Sequence, residues 1–64
     1  MSIYEKPIKI ESEAFLLDHY KNKYIVIVDN HIYAESPSFQ DIHQLAKFST
    51  PKDRFYIIRF IEPH

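Results

Sequence analysis

Tyr24-Ile25-Val26-Ile27-Val28 is a run of five β-branched or aromatic residues, and it leads straight into Asp29-Asn30-His31. A half-exposed strand alternates apolar and polar side chains, so a strand apolar at every position has both faces covered and lies in the middle of a sheet. The chain has no glycine. Asp29 and Asn30 are therefore the residues best able to take positive φ in a tight turn, and Ile32-Tyr33-Ala34 runs back from it. A hairpin of strands 24–28 and 32–35 follows.

Helical patterns flank the hairpin. Ser12 reads as an N-cap with Glu13 in the first turn, and Ala14, Phe15, Leu16, Leu17 and Tyr20 predict a helix over 13–21. Lys21 and Lys23 suit its C-terminal end, where Asn22 can adopt the left-handed conformation. After Ser36-Pro37-Ser38 the chain offers Ser38 and Asp41 as a loose capping box. Phe39, Ile42, Leu45, Ala46 and Phe48 then share one side of a helix over 38–49 that stops ahead of Pro51. Residues 54–61 form a long apolar strand. Residues 1–10, with Pro7 and the alternation Ile8-Lys9-Ile10, read as an extended arm or a short edge strand.

This order, αββαβ, is an α+β fold in one small domain spanning residues 1–64. A right-handed crossover through the second helix leaves the strands on either side of it parallel. The last strand then lies beside the first and antiparallel to it, giving a three-stranded mixed sheet of order 2-1-3. The helix over 38–49 covers one face, and the first helix shares that face or covers the other.

A chain of 64 residues hides only ~60% of the surface it exposes when unfolded, so it needs outside stabilisation. Disulfides are excluded, because the chain has no cysteine. Its start carries charges and a proline where a signal peptide needs an apolar stretch, and no apolar run reaches ~18 residues, so a cytoplasmic location without membrane contact is expected. Eight basic against nine acidic residues give no bulk attraction to nucleic acid.

No catalytic, cofactor-binding or metal-binding residue is assigned. His19, His31 and His43 stand twelve apart, without a His-x-x-x-His pair, and His64 is terminal. Ser12, Ser36, Ser38, Ser49 and Thr50 are caps or loop residues, and Asp29 with His31 reads as a turn. Without glycine there is no phosphate-cradling loop.

The last strand is the most informative segment. In the 2-1-3 order it is an edge with Phe55, Ile57 and Ile61 on one face and Tyr56, Ile58 and Phe60 on the other, and Arg59 is its one interior charge. Such an edge is a template for another strand. Pairing with a second copy through Phe55, Ile57, Arg59 and Ile61 gives a continuous six-stranded sheet and a homodimer. Pairing with the N-terminal arm instead seals the edge and leaves a monomer. Lys52, Arg54 and Arg59 beside the aromatics suggest nucleic-acid contact, but the segment lacks the small residues of an RNA-recognition strand, and its alternation with isoleucine is that of core packing.

From Tyr20 onward, Tyr20-Lys21-Asn22-Lys23-Tyr24-Ile25-Val26-Ile27 and Ile32-Tyr33-Ala34-Glu35-Ser36 resemble a family of small prokaryotic ββαβ proteins without an established activity. Asn22 and His31 stand where that family usually has glycine. The resemblance implies the fold over about residues 20–61 and no particular function. The expected role is a small non-enzymatic interaction module, homodimeric and docking on an unidentified protein, such as an adaptor, a regulator or an inhibitor of the kind viruses and mobile elements carry. The alternative is a nucleic-acid-binding regulator using Lys52, Arg54 and Arg59.

Overall fold

A computed structural model describes residues 2–63. Its elements are β1 (Ser2–Lys9), α1 (Glu13–Tyr20), β2 (Tyr24–Val28), β3 (His31–Ser36), α2 (Phe39–Ser49) and β4 (Ile57–Phe60). The strands form one sheet of order β1-β3-β2-β4, in which every neighbouring pair is antiparallel. None of the helices of the described residues is long and apolar enough to cross a membrane.

The α+β class and the placing of the last strand beside the first hairpin strand agree with the sequence reading, and β3 and β4 run parallel on either side of β2. Three details are corrected. The sheet has four strands rather than three, because the arm is itself a strand, and it is antiparallel throughout rather than mixed, because the parallel strands β3 and β4 are separated by β2. That arm pairs with β3, so it does not seal the outer edge of β4. β4 is also shorter than residues 54–61. The chain leaving α2 turns first, with the Arg54 amide donating to the Pro51 carbonyl at 3.1 Å, and reaches the ladder only at Ile57.

Both helices start where a hydroxyl can satisfy the free amides of the first turn. The Ser12 Oγ accepts from the Phe15 amide at 3.1 Å, and the Ser38 Oγ accepts from the Asp41 amide at 3.3 Å. The three positive-φ positions, Asn22, Asp29 and Asn30, fall on the residue types that tolerate the left-handed region when glycine is absent.

The two helices cover opposite faces, which explains why β2 is apolar throughout. Ile25 packs with Leu16, Tyr20, Ile32 and Ile61 beneath α1, while Val26 and Val28 pack with Ala34, Ile42 and Ala46 beneath α2. Ile32 and Ala34 reach opposite faces because Tyr33 is an extra residue in β3. Val26 pairs with Ala34 and Ile27 already pairs with Ile32, which is a β-bulge. Of the α2 residues expected to face the core, Phe39 and Phe48 do not, being 56% and 81% exposed. Phe48 is six positions from Ile42, about 240° around the helix, so it points away from the sheet.

Candidate functional site

β4 forms the outer edge next to α1 and α2. Its inner side is fixed by register: Tyr24 pairs with Phe60, Ile25 with Arg59, Val26 with Ile58 and Ile27 with Ile57. The Ile61 amide donates to the Lys23 carbonyl at 2.9 Å, and the Ile61 carbonyl accepts from the Asn22 amide at 2.8 Å. Main-chain groups alternate sides along an antiparallel strand, so Ile57, Arg59 and Ile61 face β2. Ile58 and Phe60 turn their N–H and C=O outward, where the sheet supplies no partner.

Large apolar side chains gather along this edge. Phe55 is 95% exposed and Ile57 64%, with Tyr56 and Phe60 partly exposed. Behind them Tyr24 links two other aromatics, with ring centres 4.8 Å from Phe60 and 5.4 Å from Phe39, and Phe39 meets the His43 ring edge-on at 4.5 Å. Aromatic pairs at these separations are attractive beyond their buried area. The surface beside β4 is apolar, and Phe60 within it packs on Tyr24.

Of the expected seam residues, Phe55 and Ile57 lie on the surface. Ile61 does not, because its side chain is buried beneath α1 and leaves only its backbone at the strand end. Arg59 is folded back from the edge. Its guanidinium donates to both Glu13 oxygens, at 2.8 and 2.7 Å, which holds the Glu13 carboxyl below its ordinary range and raises Arg59 further above its own. The one interior charge of the strand is thus paired with a carboxylate of α1. These residues, with Leu17, Phe60, Ile61 and Glu62, line a groove of about 380 Å³.

The three cations expected to contact nucleic acid are not brought together. Arg59 lies on the α1 side, whereas Lys52 and Arg54 line a second groove of about 260 Å³ at the end of α2, with Lys47, Thr50 and Tyr56. Arg54 is ion-paired with Asp29. The Thr50 Oγ1 is buried in this region without a hydrogen-bond partner.

At the opposite edge lies a polar cluster that sequence spacing did not reveal. The Tyr4 hydroxyl donates to Glu35 and stands 3.2 Å from the Tyr20 hydroxyl, and the Lys23 Nζ donates to Glu35 at 2.8 Å. Burial and these hydroxyl and carboxylate neighbours push the Tyr4 phenol well above its usual range, so it stays protonated and acts as a donor. Burial pushes the Glu35 carboxyl up, but the bonds from Lys23 and Tyr4 outweigh it and leave the group below its ordinary value. The cluster ties β1, α1 and β3 together. A Tyr and a Glu 31 residues apart carry no shared pattern, and only the β1–β3 ladder brings them together.

His19 stacks on Phe15, with ring centres 4.6 Å apart, His31 contacts the Asp29 carbonyl at 2.7 Å, and His43 sits on Phe39. Among the described residues no three His, Asp or Glu side chains are grouped as metal ligands would be. His64 lies outside the described residues. Compared with known proteins, the chain matches no family model, no curated protein and no solved structure.

Proposed function

We propose that this chain is a small non-enzymatic cytoplasmic protein-interaction module that forms a homodimer by strand addition at β4 and docks on a further protein as that dimer. The observation that carries the reading is an edge with outward N–H and C=O groups at Ile58 and Phe60, flanked by exposed Phe55 and Ile57. In strand addition, main-chain hydrogen bonds supply affinity and the alternate side chains supply specificity. β4 offers both, because Ile58 and Phe60 turn their main-chain groups outward and Phe55, Ile57 and Phe60, the last packed on Tyr24, present apolar side chains beside them.

Paired affinity baits test this. Proline at position 58 removes an outward amide and leaves the β2 ladder intact, since edge strands tolerate proline where the amide faces solvent. The unaltered chain is expected to retain partners from the source cell that Ile58→Pro loses. Identical partner sets for the two baits would sink the reading.

A second reading draws on the groove at the end of α2 that Lys47, Lys52 and Arg54 line. These groups suit a phosphate of a nucleic acid. Phosphate contacts are strongest at low salt. Retention of a mixed RNA and DNA pool at low ionic strength, lost on Lys52→Ala, would support it, and no retention there would remove it.

A further inference from the structure

We propose that the strand added at β4 is β4 of a second copy, paired antiparallel about a two-fold axis through Ile58. This deepens the docking reading above and rests on it.

The backbone phase allows any register centred on a residue, and the sequence run and its charges select this one. Residues 55–61 are the apolar run with its single charge, and their midpoint is Ile58. Pairing centred there places Tyr56 opposite Phe60 of the second copy, Ile57 opposite Arg59, and Phe55 opposite Ile61, so all seven residues find a partner within the run. It also sets the outward groups of Ile58 against those of the other Ile58, giving two main-chain hydrogen bonds, and extension of β4 by one residue to Tyr56, which would then face Phe60, brings the total to about six.

Neighbouring registers are worse on charge as well as length. Centring on Arg59 sets two guanidinium groups directly opposite each other and pushes Phe55 and Tyr56 against Pro63 and Glu62. Centring on Ile57 sets Arg54 against Phe60 and Asp53 against Ile61. With Ile58 at the centre, each Arg59 faces an isoleucine and keeps its own Glu13 at 2.7 Å.

The area also fits. Counting ~200 Å² for a fully exposed aromatic, Phe55, Tyr56, Ile57 and Phe60 offer about 500 Å² per copy. Complete burial of these side chains gives the pair at most about 1,000 Å², the lower limit for a specific interface, so the dimer is reversible and depends on concentration. Its sheet runs β1-β3-β2-β4-β4-β2-β3-β1, eight strands with β1 at both ends.

A chain without cysteine lets introduced thiols report the register directly. Ile57→Cys, Ile58→Cys and Arg59→Cys are made singly, oxidised under mild conditions and resolved without reductant. Only the two residues at position 58 approach to ~5.5 Å between Cα atoms, within disulfide reach, so Ile58→Cys is expected to cross-link about tenfold faster than the others. A dominant cross-link at 57 or 59 overturns the register. The unaltered chain gives an independent reading by light scattering, where the mass is expected to rise from one chain to two with concentration. A one-chain mass throughout overturns self-pairing whatever the cysteine variants do. The docking reading fails separately, when Ile58→Pro and the unaltered chain capture the same partners.

Discussion

The two edges of this sheet are built differently. β1 is eight residues long, yet Ile3 pairs with Ala34 and Ile8 already with Ile32, so four residues of β1 stand against Tyr33 alone. This bulge contains Pro7, and Glu5, Lys6 and Lys9 are exposed along the strand. Bulge, proline and charge are the devices by which proteins keep an edge from recruiting another strand. β4 has none of them in working form: it is regular and apolar, and its one charge is held by Glu13. Protection at one end and openness at the other leave β4 as the edge at which the proposed association is expected.

Proline placement should break this contrast most sharply. Arg59→Pro removes an amide that faces β2 and strands the buried Ile25 carbonyl, which is expected to cost on the order of 2–3 kcal/mol in urea unfolding. Ile58→Pro removes an outward amide and some aliphatic packing, and is expected to cost about 1 kcal/mol while abolishing the two-chain mass. Equal losses from both would refute the assigned backbone phase.

The guarded edge depends on Glu35. Glu35→Gln weakens the bonds from Tyr4 and Lys23, and about 1–2 kcal/mol is expected because the half-exposed Lys23 end is screened by solvent. The folded Glu35 carboxyl lies below its ordinary 4.5, so its contribution is complete above that pH and is lost as pH falls through the folded value. Urea midpoints should therefore drop below pH 4.5 and drop less steeply in Glu35→Gln. Tyr4 shifts the other way. Its folded phenol lies above the ordinary 10.0, so its contribution is present below that pH and is lost above it, and Tyr4→Phe should flatten this alkaline limb.

The smallest effect is expected at the turn that anchors the end of β1. The Asn30 carbonyl accepts from the Ile10 amide at 2.9 Å while Asn30 holds φ near 62°. The Asn30 side chain also donates to the Ile10 carbonyl at 3.3 Å, an exposed bond that both substitutions lose, so Asn30→Ala is expected to cost up to about 1 kcal/mol and Asn30→Gly about half of that, read by thermal unfolding.

Much of this fold was legible in the residues. The unbroken Tyr24–Val28 run marked the central strand, Ser12 and Ser38 marked the helix starts, and the Asp29-Asn30 pair marked the hairpin. β1 was only half legible, since a bulge of four residues against one erases the alternation that identifies a strand. Phe48 was misjudged because an aromatic near a helix end looks like core until its angle is counted. The sequence left open whether the last strand pairs with a second copy or is sealed by the arm; the arm pairs with β3, which removes the seal and leaves self-pairing as a proposal. What sequence could not show is the phase of β4, because the side on which each N–H falls depends on the pairing with β2. Nor could it show that Arg59 is held by a residue 46 positions away.

Amide hydrogen exchange across β4, followed as the chain is concentrated, tests the open edge most directly. In dilute solution Ile57 and Arg59 should be protected by β2, while Ile58 and Phe60 should exchange freely. On concentration Ile58 and Phe60 should gain protection and the other two should change little. Free exchange at Ile58 and Phe60 at every concentration, or protection of both at the greatest dilution, would contradict an open edge that another strand completes.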